Sequence, residues 1–121
     1  MLFSIQSNGD TKQVTRLPHE QDFNRWRSRL SDSDYQAACD ELDGRLETNE
    51  VNTSSWIPGE DWTGTVFQPL YEACGRDSEA AARFFGLILW KVVMDHGQRW
   101  SFGRYEKDGV PIEGITYFRI D

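Results

Sequence analysis

From Asp77 to His96 the chain carries apolar residues on almost every side of a helix, broken only by scattered charges. A helix patterned this way has no full face to give to water, so it belongs at the centre of a fold with cover on at least two sides. At about 100° per residue, Ala81, Phe85, Ile88, Leu89, Val92 and His96 share a broad face. Leu87, Trp90 and Met94 form a second stripe nearly opposite. The expectation is that the broad face meets a sheet and the second stripe meets the other helices. Gly97 is placed to end the helix. Trp100 to Ile120 then reads as a β-hairpin turning at Asp108-Gly109, with Trp100 opposite Tyr117, Phe102 opposite Ile115 and Arg104 opposite Glu113.

The other elements follow from turn and capping signals. Leu2 to Gln6 and Thr11 to Leu17 flank Asn8-Gly9, a dipeptide favoured where both central turn residues need positive φ. Pro18 stops the second strand. A helix from His19 to Leu30 places Phe23, Trp26 and Leu30 on one face. Ser31 or Ser33 can cap the next helix, whose stripe is Tyr35, Ala38, Cys39, Leu42 and Leu46. Thr48 to Thr63 reads as an irregular stretch. Thr65 to Gly75 reads as a third helix opened by a capping box, Thr65 with Gln68. Two terminal hairpins with helices between them predict an α+β fold: one antiparallel sheet, with the helices gathered around the buried helix 77–96.

At 121 residues, 38% hydrophobic, the chain is sized for a single globular domain over 1–121. The N-terminus lacks the basic start and apolar run of a signal peptide. The longest apolar run, Phe84 to Val93, is interrupted by Lys91 and is about half the length of a membrane span. A soluble cytoplasmic protein without a membrane partner is expected. Cys39 and Cys74 fall on apolar helix faces and read as reduced, structural thiols. The net charge of −7 is concentrated in residues 31–50, where seven acids face the single base Arg45. A phosphate backbone would repel such a chain, and Arg25, Arg27 and Arg29 are spread around a helix rather than aligned, so nucleic acid is not an expected partner.

No phosphate-binding loop, dinucleotide-binding glycine pattern or nucleophile elbow is present. With only His19 and His96, a multi-histidine metal site is excluded, and a mixed site would need His96 to meet acids that the sequence does not bring together. No metal and no cofactor is expected. His96, in the last turn of its helix, faces free carbonyls and the negative end of the dipole, which favour an imidazolium; the simplest role is a hydrogen-bonded cap.

Three functional readings follow. The first is a non-enzymatic binding module that uses aromatic surface, pairing with itself as a symmetric homodimer or with another protein. Its candidate interface residues are Trp100, Phe102, Tyr105, Tyr117 and Phe118, because an uncovered sheet face bearing them would be a large apolar patch. The second is a small-ligand pocket under the 52–62 loop, using Trp56, Trp62, Glu60 and Asp61 with His96; apolar neighbours there can raise a carboxyl pKa enough for acid catalysis. The third is an acidic inhibitor or immunity-type protein acting through the carboxylates of residues 31–50.

Overall fold

A computed structural model of the chain describes residues 1–53, 62, 64–104, 106–107, 110–111 and 114–120. The first hairpin pairs β1 (Leu2–Ile5) with β2 (Thr11–Val14), Leu2 opposite Val14 and Ile5 opposite Thr11. Its turn differs from the predicted one. Gly9 has a φ of 88°, whereas Asn8 stays at negative φ and accepts the Asp10 amide on Oδ1 at 3.1 Å. The Gln6 amide donates to Asp10 O and the Gly9 amide to Gln6 O, which closes a Ser7-Asn8-Gly9 loop in which only the last residue must be left-handed.

Four helices follow: α1 (Glu20–Arg27), α2 (Asp32–Thr48), α3 (Gln68–Ala73) and α4 (Ser78–Asp95). Their starts are set by local chemistry. Ser31 caps α2 by accepting the Asp34 amide, and Asp77 caps α4 by accepting the amides of Glu79 and Ala80. Before α3, the Thr65 hydroxyl accepts the Phe67 amide while the Gln68 side chain reaches back to the Gly64 amide, a shifted version of the expected reciprocal cap. The predicted stripes are the buried ones: Phe23, Trp26 and Leu30 after them, and Ala38, Leu42 and Leu46 on α2.

The fold is α+β. A five-stranded sheet runs β2-β1-β4-β7-β3, where β3 is Val51–Thr53, β4 is Trp100–Gly103 and β7 is Thr116–Arg119. All neighbours are antiparallel except β1 and β4, which are parallel and join the two hairpins into one sheet. The edge strand β3 lies inside the stretch expected to be irregular.

The second hairpin has two registers. At its tip, β5 (Glu106–Lys107) and β6 (Val110–Pro111) pair Lys107 with Val110, the register expected from the sequence, while Asp108 and Gly109 lie outside the described residues. At its base Trp100 faces Arg119 and Phe102 faces Tyr117, two positions away from the expected partners. Extra residues on the return strand absorb the offset, and Gly114 among them has a φ of 81°. A shift of two keeps every side chain on its expected side of the sheet.

Helix α4 is the centre of the molecule, touching α1, α2, α3 and the sheet. Seven of its residues, Ala81, Phe84, Phe85, Leu87, Ile88, Leu89 and Val93, are buried. The partners of its stripes reverse the expectation. Trp90 meets the sheet, with its ring 4.8 Å from Phe102 and 6.4 Å from Tyr117. Phe85 instead meets Phe67 and Trp62 beside α3, and Phe84 meets Phe23 and Trp26. Helical periodicity gives the angle between two stripes; it does not say which neighbour each receives.

Register sorts the sheet faces. Leu2, Trp100, Phe102, Tyr117 and Asn52 share the α4 side, while Phe3, Ser101, Phe118 and Val51 share the other. None of the described helices is long and apolar enough to cross a membrane.

Candidate functional site

A hollow lies where α1, α4 and the β4–β7 hairpin meet, a cleft of about 740 Å³. Its aromatic walls are Trp26 from α1, Trp90 from α4 and Tyr117 from β7, with Leu87 and Ile115 beside them. Trp90 is held from two directions, because its indole N–H donates to Arg16 O at 3.1 Å while its ring lies against Phe102. Burial pushes the Tyr117 hydroxyl well above its ordinary pKa, so it is a neutral group with no hydrogen-bond partner among the described residues. Gly86 sits in the α4 wall, and a Cβ built there would meet nothing within 4 Å.

Charged groups ring the rim: Asp22 on α1, Glu79 and Arg83 on α4, and Arg104 after β4, with His19 at the entry to α1. Two of the acids are already matched. Asp22 pairs with Arg25 at 3.0 Å and Glu79 with Arg83 at 3.0 Å. Arg104 makes no ion pair among the described residues. A second hollow, about 530 Å³, lies between the α1–α2 turn and α3, but its Ser31 and Gln68 are spent on capping.

His96 builds a different constellation. The helix ends of α2 and α4 bring Asp43, Glu47 and His96 together, with ligand atoms within 4.8 Å of one another. Nε2 lies 3.0 Å from Glu47 Oε1 and 3.8 Å from Asp43 Oδ1. The Glu47 oxygen is off the N–H direction, so Nε2 has a close carboxylate without an aligned hydrogen bond. Nδ1 accepts the Gln98 amide at 3.1 Å and the Trp100 indole N–H at 3.3 Å. Two donors aimed at Nδ1 make that nitrogen an acceptor and leave Nε2 to carry the ring's proton. A histidine that binds metal through Nε2 donates from Nδ1; here that atom accepts, so the donor set fits a proton on Nε2 and not a cation.

The helix dipole's negative end is instead met by the Met1 ammonium, which donates to the carbonyls of Val93, His96 and Gln98. Neither thiol is set up as a nucleophile. Burial first, and Asp77 second, push Cys74 up to about 11, and burial raises Cys39 as well.

This chain matches no protein-family model, no curated protein and no solved structure.

The described residues singled out from sequence fall in different places. Trp56, Glu60, Asp61 and Tyr105 lie outside the described residues. Trp62 is half-buried with its ring centre 6.1 Å from that of Phe85, and lines neither hollow. Trp100 is fully buried beneath the helices and therefore cannot meet a partner; Phe102 is half-buried against Trp90. Tyr117, expected at an interface, is a wall of the cleft. Phe118 alone of that described set lies on the sheet face away from α4. Sequence reasoning missed the cleft itself, although Trp26 and Trp90 were legible as aromatic members of their helix faces.

Proposed function

We propose that this chain is a small-molecule-binding module whose site is the cleft between α1, α4 and the β4–β7 hairpin. The observation that carries the reading is its form: about 740 Å³, lined by the half-exposed Trp90 with the buried Trp26 and Tyr117 behind it, and a few charged groups at the rim. Binding sites for small organic molecules have this size and this division between apolar lining and sparse polar groups. Gly86 supplies the test. A leucine there fills open space in the cleft while improving helix propensity, so it blocks the site without a folding penalty. Ligand-observed NMR against a fragment library should return hits with the native chain that vanish with Gly86→Leu. Hits that bind the variant equally well, or no hits at all, would remove this reading.

Self-association through the sheet face away from α4 is a second reading. It is supported by Ile5 and Val51, which are 52% and 56% exposed, and by half-buried Phe3 and Phe118 on that same face. Two-fold pairing is the commonest way to cover such a surface. Light scattering at micromolar concentration should give about twice the 14.0 kDa chain mass, falling to the monomer with Phe118→Glu. A native chain that stays monomeric at high concentration counts decisively against the pairing. An inhibitor-like role for the acids of α2 draws less support, since Asp40, Glu41 and Glu47 already contact Gln36, Arg45 and His96.

A further inference from the structure

Resting on the cleft reading above, the geometry points to a ligand class: we propose that the cleft takes a flat aromatic molecule carrying one negative charge, with Arg104 meeting that charge. Two independent features fix the two halves of this description. The lining supplies an aromatic face. Trp90 is the half-exposed ring of the lining, with the buried Trp26 and Tyr117 behind it, and it is immobilised by its bond to Arg16 O, so a planar body can lie against it with little further loss of side-chain freedom.

The rim supplies the sign. Asp22 and Glu79 would suit a cation if they were free, but each already holds an arginine at 3.0 Å, Arg25 and Arg83 respectively. Arg104 is the rim cation with no carboxylate among the described residues, and it lines the same cleft as Tyr117. His19 adds a second unspent donor, since its side chain makes no capping bond although the residue opens α1 at a φ of 51°. A guanidinium without an acid partner presents parallel N–H groups that match a carboxylate, sulfonate or phosphate edge. The molecule carries a net charge of −7, so an anion is drawn to this rim by a local group and not by the overall field.

Two dyes of nearly the same shape separate the parts of the claim: anilinonaphthalene sulfonate, which is planar and anionic, and phenylnaphthylamine, its neutral counterpart. Titrated against the native chain with dye emission and Trp fluorescence as readouts, the sulfonate should bind about tenfold more tightly than the neutral dye. Arg104→Gln should erase that preference while the neutral dye's affinity holds, Arg104→Lys should keep part of it, and Gly86→Leu should abolish binding of both dyes. Circular dichroism confirms that each variant folds; Arg104 is exposed, so its replacement removes no core contact. Equal affinity of the two dyes, or a preference that survives Arg104→Gln, would overturn the anionic assignment and leave the cleft standing. Binding of both dyes undiminished in Gly86→Leu would place them elsewhere on the surface, and both the cleft and its ligand class would fall together.

Discussion

Two N–H groups converge on one nitrogen of His96, so substitutions there can separate the ring from the acceptor it carries. Asparagine presents an oxygen near the Nδ1 position; phenylalanine fills the volume and presents nothing. His96→Phe should therefore be less stable than His96→Asn by about 1–3 kcal/mol, because the buried Trp100 indole N–H loses its acceptor. Denaturant midpoints decide it, and equal midpoints would mean that the hydrogen bonds to Nδ1 contribute nothing. Ser101 supplies the opposite case. It is fully buried between Phe3 and Phe118 across the sheet, and its hydroxyl has no hydrogen-bond partner among the described residues. Removing an unsatisfied buried hydroxyl relieves a desolvation penalty, so Ser101→Ala should be neutral to stabilising by about 1–2 kcal/mol. A loss of more than about 1 kcal/mol would show that the hydroxyl has a partner in solution.

At the scale of elements, Gly114 is the position that lets one hairpin hold two registers. An alanine must adopt its φ of 81° against the Cβ, so Gly114→Ala should cost about 1 kcal/mol and loosen amide protection at the hairpin tip before the base of the sheet. Protection lost equally in β1 and β7 would refute that local effect. This hairpin also marks how far the chain could be read. Asp108-Gly109 names its turn, and the register at Lys107 and Val110 follows; nothing in Ile112 to Ile115 announces the offset below it. Phe23, Trp26, Leu42 and Leu46 were legible because 3.6-residue periodicity reports burial directly. The edge strand β3 was not, since three residues cannot display an alternation. The cleft was illegible for a different reason: its walls come from Trp26, Trp90 and Tyr117, which only tertiary packing brings together. The meeting of His96 with Asp43 and Glu47 is of the same kind.

For the whole molecule, the buried acids that ionise at high pH set an alkaline limit. Cys74 is pushed up from 9.0 to about 11, chiefly by burial, and burial also raises Tyr35 and Tyr117 above 10.0. Each holds its proton longer in the folded state than in the unfolded chain. Their contribution is complete below pH 9 and is lost as pH climbs from 9 toward 11 and beyond. The melting temperature should fall across that interval, less steeply in Cys74→Ala; a flat profile would contradict the burial of these groups.

The single parallel pair in the sheet has a kinetic consequence. Leu2 and Trp100 are neighbours in space while α1, α2, α3 and α4 all lie between them in the chain. Closing so large a loop costs entropy before any sheet contact repays it, and such connections slow folding. The helices can form from local signals, but β1 has only β2 beside it until β4 exists. During synthesis, then, β1 and β2 must wait as an exposed ribbon for most of the chain to follow.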